Sequence, residues 1–359
     1  MTLGSMAMPD VADAPLPRAR GPLSETVLDV LATPPESGAA SAALEAALTA
    51  TPWEAVDPYG DDLQLALYLC YELHYAGLAG VDPAWEWDPA LLRLRARMER
   101  AYLDALRADT GEIDGPAARD VLAAELDALL VEPVDGEGVS HYLRDEGTRR
   151  EMREYVVHRS VYHLKEADPH SLLIPRLRGR AKAALVAVEF DEYGGGRAEA
   201  MHSRLFADLM EGLDLDPGYG RYLDAVPAPA LAVVTMMSLF GVHRARRGAM
   251  VGHFAAAEIT TAPSAARIAR AMRRLGEQER CARFFTEHIE ADAVHEQVLR
   301  REVIGDLLRQ EPDLAADVVF GIRATNLLEE HLGEHLLSSW RAGRTSLRRP
   351  LPADGASLP

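Results

Sequence analysis

Two imidazoles and a carboxylate fall within eight residues of the chain, at His288, Asp292 and His295. At about 100° per residue these positions lie within roughly 60° of one another on a helix, so all three side chains project from one face over two turns. Mixed nitrogen and oxygen donors arranged this way suit a metal of the iron, manganese or zinc type. The competing reading is a solvated polar face, of the kind that Glu290 and Glu296 provide on the same stretch. A second constellation is Glu192-Tyr-Gly-Gly-Gly196 followed by His202. Three successive glycines end a helix, because glycine enters left-handed dihedrals freely and is costly inside a helix. A carboxylate at one helix end and an imidazole in the next can then converge; Glu189 and Asp191 are neighbours able to take the place of Glu192.

Two further acids belong with these. Glu258 sits in Gly-His-Phe-Ala-Ala-Ala-Glu258, a small and apolar context where an unpaired acid is costly to bury. Glu166 closes a long helix one turn after His163, and either of the two can face inward. Glu166, Glu192, Glu258 and Asp292 with neutral His202, His288 and His295 carry a formal charge of about −4, which two ferrous ions neutralise. Seven ligands leave two such ions with open positions for dioxygen and a substrate. Carboxylate-rich, histidine-supplemented sites of this kind are built inside helical bundles.

The elements that must position these residues are helices. From Ser24 onward apolar residues recur at helical spacing, strand-type alternation is almost absent, and the fold class is all-α. Helices are predicted over 25–31, 40–50, 61–76, 89–106 and 117–130. After a Pro/Gly/acid-rich linker at 131–139 they are predicted over 141–166, 170–190, 197–210, 217–222, 228–242, 249–260, 264–275, 277–303 and 315–340. This gives a disordered leader (1–23), an N-terminal helical region for dimerisation and packing (24–135), a bundle domain (136–341) and a flexible tail (342–359). The near-continuous apolar run 225–242 is interrupted by Pro227, Pro229, Thr235 and Ser238, and reads as a buried core helix that lines a pocket or packs the core. Leu63 to Tyr75, Trp53, Trp85 and Trp87 supply apolar area that suits a homodimer interface.

Composition bounds the partners. With 38 Lys+Arg against 56 Asp+Glu the net charge is −18, unfavourable for nucleic acid or an anionic membrane. Two cysteines, Cys70 and Cys281, are too few for a disulfide framework or an iron–sulfur cluster, and a reducing cytoplasm is the simplest location.

The order Glu166, Glu192-Tyr-Gly-Gly-Gly, His202, Glu258, then His288-x3-Asp292-x2-His295 resembles the haem-oxygenase-like di-iron oxidases and oxygenases, or iron-containing redox enzymes. The resemblance implies a seven-helix bundle holding two irons that activate dioxygen, with an external electron donor such as a reductase. It assigns Glu166, Glu192, His202, His288, Asp292 and His295 as metal ligands. Glu258 falls where N-oxygenating members carry an extra carboxylate. The function implied is N-oxygenation of an amine or amino-acid-derived small molecule to a hydroxylamine or nitro product in secondary metabolism. Oxidative C–C cleavage or decarboxylation of an amino or fatty acid is the alternative, and a non-catalytic metal-binding scaffold is a reading from another class. Two other motifs read as structural: Glu329-Glu330-His331 with Glu334-His335 as a solvated face, and His243-Arg-Ala-Arg-Arg247 as a helix end or an anchor for a substrate carboxylate or an interdomain acid.

Overall fold

Helical periodicity without strand alternation leaves backbone hydrogen bonds to be satisfied within helices, and the chain does so. The computed structural model describes residues 14–111, 113, 117–131 and 136–351; the side chains of residues 290–293 are also outside the described set. Among the described residues all regular structure is helical, apart from an isolated bridge between Ala14 and Leu78. The helices are α1 (Pro22–Leu31), α2 (Gly38–Ala50), α3 (Asp61–Glu72), α4 (Pro89–Thr110), α5 (Ala118–Leu129), α6 (Val139–Asp145), α7 (Arg149–His163), α8 (Asp168–Ser171), α9 (Gly179–Glu192), α10 (His202–Gly212), α11 (Ala228–Val242), α12 (Arg247–Arg274), α13 (Glu279–Gln297), α14 (Gly305–Gln310) and α15 (Ala315–Arg341).

The departures from the predicted helices have local causes. The stretch 141–166 is two helices, because Thr148 caps α7: Glu151 N donates to its Oγ1 at 3.3 Å and Thr148 N donates to the Glu151 carboxylate at 2.8 Å. The stretch 170–190 begins its long helix only at Gly179, after a 3₁₀ turn at Ile174–Arg176 that contains Pro175. Residues 217–222 form turns rather than a helix. The segments 249–260 and 264–275 are one helix, α12, which runs through Pro263. Hydroxyls of Thr260, Thr261 and Ser264 bond carbonyls one turn back around that proline, and packing against α13 and α15 holds the helix together. Past Gln297, α13 passes into a π-helical segment, Val298–Ile304, a geometry often found beside functional sites.

Helix α12 crosses α15 at very close range. A Cβ on Gly252 would overlap the Val318 carbonyl, and one on Gly321 would overlap the Ala249 carbonyl, so both positions require glycine. Helix α11 is buried along almost its whole length, as expected of a core helix, and among the described residues no single helix is long and apolar enough to cross a membrane.

The N-terminal region packs onto the bundle and shares its core. Helix α3 lies against α1 and α11, with Leu63 to Glu72 buried at every position. Tyr102 donates to the Ala232 carbonyl at 2.8 Å, and Lys165 Nζ meets Glu72 Oε2 at 2.7 Å. The apolar cluster Leu63–Tyr71 and Trp85 are therefore covered within the chain, whereas Trp87 stays 66% exposed. The described parts of the leader and tail are docked: Ala14 is buried, and Ser346 N and Oγ both donate to Glu154 Oε2, at 2.9 and 2.8 Å. Residues 1–13, 352–359 and the linker residues 132–135 are outside the described set.

Candidate metal centre

Four helices and two connections bring the acids and imidazoles together. Glu166 follows the end of α7, and Glu192 is the last residue of α9. After Glu192 the chain turns through Gly194, Gly195 and Gly196, all at positive φ (73°, 61° and 81°). A Cβ on Gly194 would meet the Ala200 carbonyl carbon at 2.6 Å, so the turn needs both the dihedral freedom and the missing side chain of glycine. The turn returns the chain so that His202, the first residue of α10, places Nδ1 at 2.8 Å from Glu192 Oε2. Glu258 comes from the middle of α12, and His288 and His295 come from α13.

Ligand atoms of Glu166, Glu192, His202 and His288 all lie within 4.8 Å of one another, and those of Glu192, Glu258 and His295 do the same. All six residues are buried. Glu192 belongs to both groups through different oxygens: Oε2 faces His202, whereas Oε1 lies 3.6 Å from His295 Nδ1. That same Nδ1 is 3.0 Å from Glu258 Oε2. His288 donates from Nδ1 to the Phe284 carbonyl at 2.7 Å, and its Nε2 lies 3.8 Å from Glu166 Oε1. Asp292 lies on α13 between the two histidines, and its side chain is outside the described residues.

Several donor atoms fit cations better than they fit each other. Glu166 Oε2, Glu192 Oε1 and His202 Nδ1 are buried without a well-aligned hydrogen bond, although His163 Nδ1 lies 3.1 Å from Glu166 Oε2 and His202 Nδ1 stands close to the other Glu192 oxygen. Two ligands on opposite sides of an ion at about 2.1 Å each are about 4.2 Å apart, a spacing the two groups accommodate. Both Glu189 oxygens are likewise unpartnered. Burial, followed by the Glu192 and Glu258 carboxylates, pushes the Glu189 carboxyl up to about 9. Burial also works against ionised Glu166, but His163, with Nδ1 at 3.1 Å, and His288 outweigh it and hold this carboxyl well below the usual range. Negative charge concentrated away from water in this way is what a pair of divalent ions would neutralise.

A cavity of about 780 Å³ opens beside the cluster, with Glu166, Glu258 and His288 on one wall. Tyr162, His170, Met237, His253 and Thr325 also line it, as does the ion pair of Arg159 and Glu329 at 2.6 and 2.7 Å. The volume suits a small organic molecule.

Residues 153–330 match the profile of the family described as iron-containing redox enzymes, and that interval contains every residue of the two ligand groups. The chain belongs, through these residues, to the iron-containing redox enzyme family. Its all-α architecture is the haem-oxygenase-like fold. A nitrosourea synthase from Streptomyces achromogenes subsp. streptozoticus is 25% identical over 245 residues, 66% of this chain and 51% of that protein. The chain thus spans about half the length of that curated relative.

Several residues of this iron-containing redox enzyme stand where motif spacing does not point. Glu189 lies beside Glu192 rather than in its place, three residues earlier on α9. Of the apolar helix α11, Met237 lines the cavity; Thr235 instead bonds Gln64, and Ser238 accepts from Tyr75 at 3.0 Å. Glu329 is not on a purely solvated face but lines the cavity with Arg159. His331 packs edge-on against Tyr59, and His335 bonds the Ser346 carbonyl at 2.7 Å. His243 meets Glu99 of α4 at 2.9 Å, so the basic run anchors an acid of the N-terminal region. Each of these placements depends on a partner distant in sequence.

Proposed function

We propose that the chain is a non-haem di-iron oxygenase that N-oxygenates an amine or amino-acid-derived small molecule in natural-product biosynthesis. On this reading Glu166, Glu192, His202 and His288 hold one iron; Glu192, Glu258 and His295 hold the other; and Asp292 completes the set from α13. The observation that carries the proposal is the pair of buried ligand groups that share Glu192, each of its oxygens facing a different group. The name of the Streptomyces relative adds support for chemistry at nitrogen.

Ferrous ions held by these residues would supply reducing equivalents for dioxygen next to the cavity. The remaining work falls to side chains. The bond of His288 Nδ1 to Phe284 leaves Nε2 as the atom to offer a metal, and the rings of Phe206 and Phe284 pack against His163. Glu258 stands both in the second ligand group and on the cavity wall, which places a carboxylate between metal site and substrate. In the overall balance, one oxygen atom of dioxygen enters an N–O bond and the other leaves as water, with two electrons and two protons from an external reductant.

The test is anaerobic reconstitution with ferrous ion, followed by dioxygen and a panel of amines and amino acids. Two irons per chain and products that gain oxygen on nitrogen are expected. A chain that binds no iron overturns the metal assignment. Products that lose carbon assign oxidative C–C cleavage instead.

A further inference from the structure

His295 meets two consecutive residues of α9, one at each ring nitrogen. Glu192 Oε1 lies 3.6 Å from Nδ1, where Glu258 Oε2 also stands at 3.0 Å. Asp191 Oδ2 lies 3.3 Å from the other nitrogen, Nε2. The imidazole side chain is 3% exposed, whereas that of Asp191 is 59% exposed. Asp191 thus reaches from the surface to the edge of a buried ring, and it stands in neither ligand group.

A carboxylate has no hydrogen to give, so the bond to Asp191 requires that Nε2 carry a ring hydrogen. The nitrogen left for an ion is Nδ1, the one beside Glu192 and Glu258. Histidine ligands commonly divide their nitrogens in this way: one coordinates, and the other donates to an acceptor that fixes the ring and raises its basicity. The two imidazoles of α13 use different acceptors. His288 bonds the Phe284 carbonyl, four residues back on its own helix, at 2.7 Å. His295 uses a carboxylate from another helix. Because α9 ends at Glu192, Asp191 and Glu192 lie about 100° apart in its last turn and approach the ring from two directions.

We infer that Asp191 is a positioning residue of the metal centre: it accepts from His295 Nε2–H, holds Nδ1 toward Glu192 and Glu258, and so sets the affinity of the ion in that group. The inference rests on the proposed function in taking Glu192, Glu258 and His295 as ligands. It makes the two ions unequal, because retention of this one depends on a surface carboxylate, whereas the other has His288 fixed by backbone.

The test titrates the metal-free full-length chain by calorimetry with zinc ion, a redox-inert stand-in for ferrous ion. The native chain is expected to take up two ions. Asp191→Ala should weaken uptake of one of them about 10- to 100-fold and leave the other near native. Asp191→Asn, whose amide carbonyl still accepts from Nε2–H, should restore most of the loss. Since the Asp191 side chain is exposed, urea midpoints of the metal-free variants should stay at the native value, which separates lost positioning from lost folding. Independently of any variant, cadmium-113 and nitrogen-15 spectra of the cadmium-loaded native chain should show the ion coupled to His295 Nδ1 and a hydrogen on Nε2. Coupling to Nε2 instead, an Ala variant that holds both ions as tightly as the native chain, or an Asn variant as weak as Ala overturns the inference while leaving the metal assignment standing. A native chain that binds no ion overturns both.

Discussion

Replacing Glu72 should expose how far the N-terminal region supports the metal centre. Glu72 is 0% exposed on α3, and its partner Lys165 is 4% exposed and directly precedes Glu166. The ammonium meets Glu72 Oε2 at 2.7 Å and lies over the rings of Tyr68 and Tyr75 at 4.7 and 4.4 Å; Tyr219 donates its hydroxyl to the other Glu72 oxygen. Glu72→Gln keeps the shape and removes the charge, leaving Lys165 buried against two aromatic faces. Removing one partner of a buried pair costs about 3–5 kcal/mol; the ring contacts, worth up to about 2 kcal/mol, are present before and after and do not offset it. Replacing both partners, Glu72→Gln with Lys165→Met, removes the uncompensated charge and should return most of the loss. Urea unfolding of the metal-free chain measures each variant and their coupling. Iron content after ferrous reconstitution should fall in Glu72→Gln, because displacement of Lys165 carries Glu166 with it. A loss below about 1 kcal/mol, or a double variant as unstable as the sum of the single ones, would refute the reasoning.

His288→Ala, His295→Ala and Asp292→Ala should each lower iron content per chain by metal analysis, since each leaves a ligand group incomplete; the pair His331→Ala and His335→Ala should leave loading near native. Gly194→Ala should cost about 1–3 kcal/mol in denaturant unfolding, because alanine resists φ 73° and its methyl meets the Ala200 backbone, and it should weaken iron binding by parting His202 from Glu192. For pH, His158 is the clearest group: burial first, then the nearby charges of His335 and Arg159, push it down to about 3, while its Nε2 lies 2.9 Å from Ser346 Oγ, itself bonded to Glu154. Above pH about 6.5 the imidazole is neutral folded and unfolded. As pH falls toward about 3 only the unfolded chain takes the proton, so stability drops by about 1.4 kcal/mol per pH unit from this residue. Denaturant unfolding between pH 6 and 5 should show that slope reduced in His158→Gln; equal slopes would remove His158 as the cause.

The shared face of His288 and His295, the carboxylate before the glycine turn and the all-α class were legible in the sequence because each is a local matter. Helical periodicity fixes which face His288 and His295 share, and three glycines fix where α9 must end. Pairings across the chain were not legible in this way. Periodicity cannot tell that Pro263 sits inside one continuous helix, since the packing of α13 and α15 against α12 is what offsets it. It cannot separate the Glu329 that pairs with Arg159 from the Glu330 beside it, because the difference is an arginine 170 positions away. The same holds for His253, which reads as one apolar-helix histidine until the close crossing of α12 and α15 supplies Thr325 as the partner of its Nδ1. Backbone conformation and amphipathic face depend on neighbours within a turn or two and are written in order along the chain. Burial, proton placement and the second oxygen of Glu192 depend on which surfaces meet, and only the folded bundle decides that.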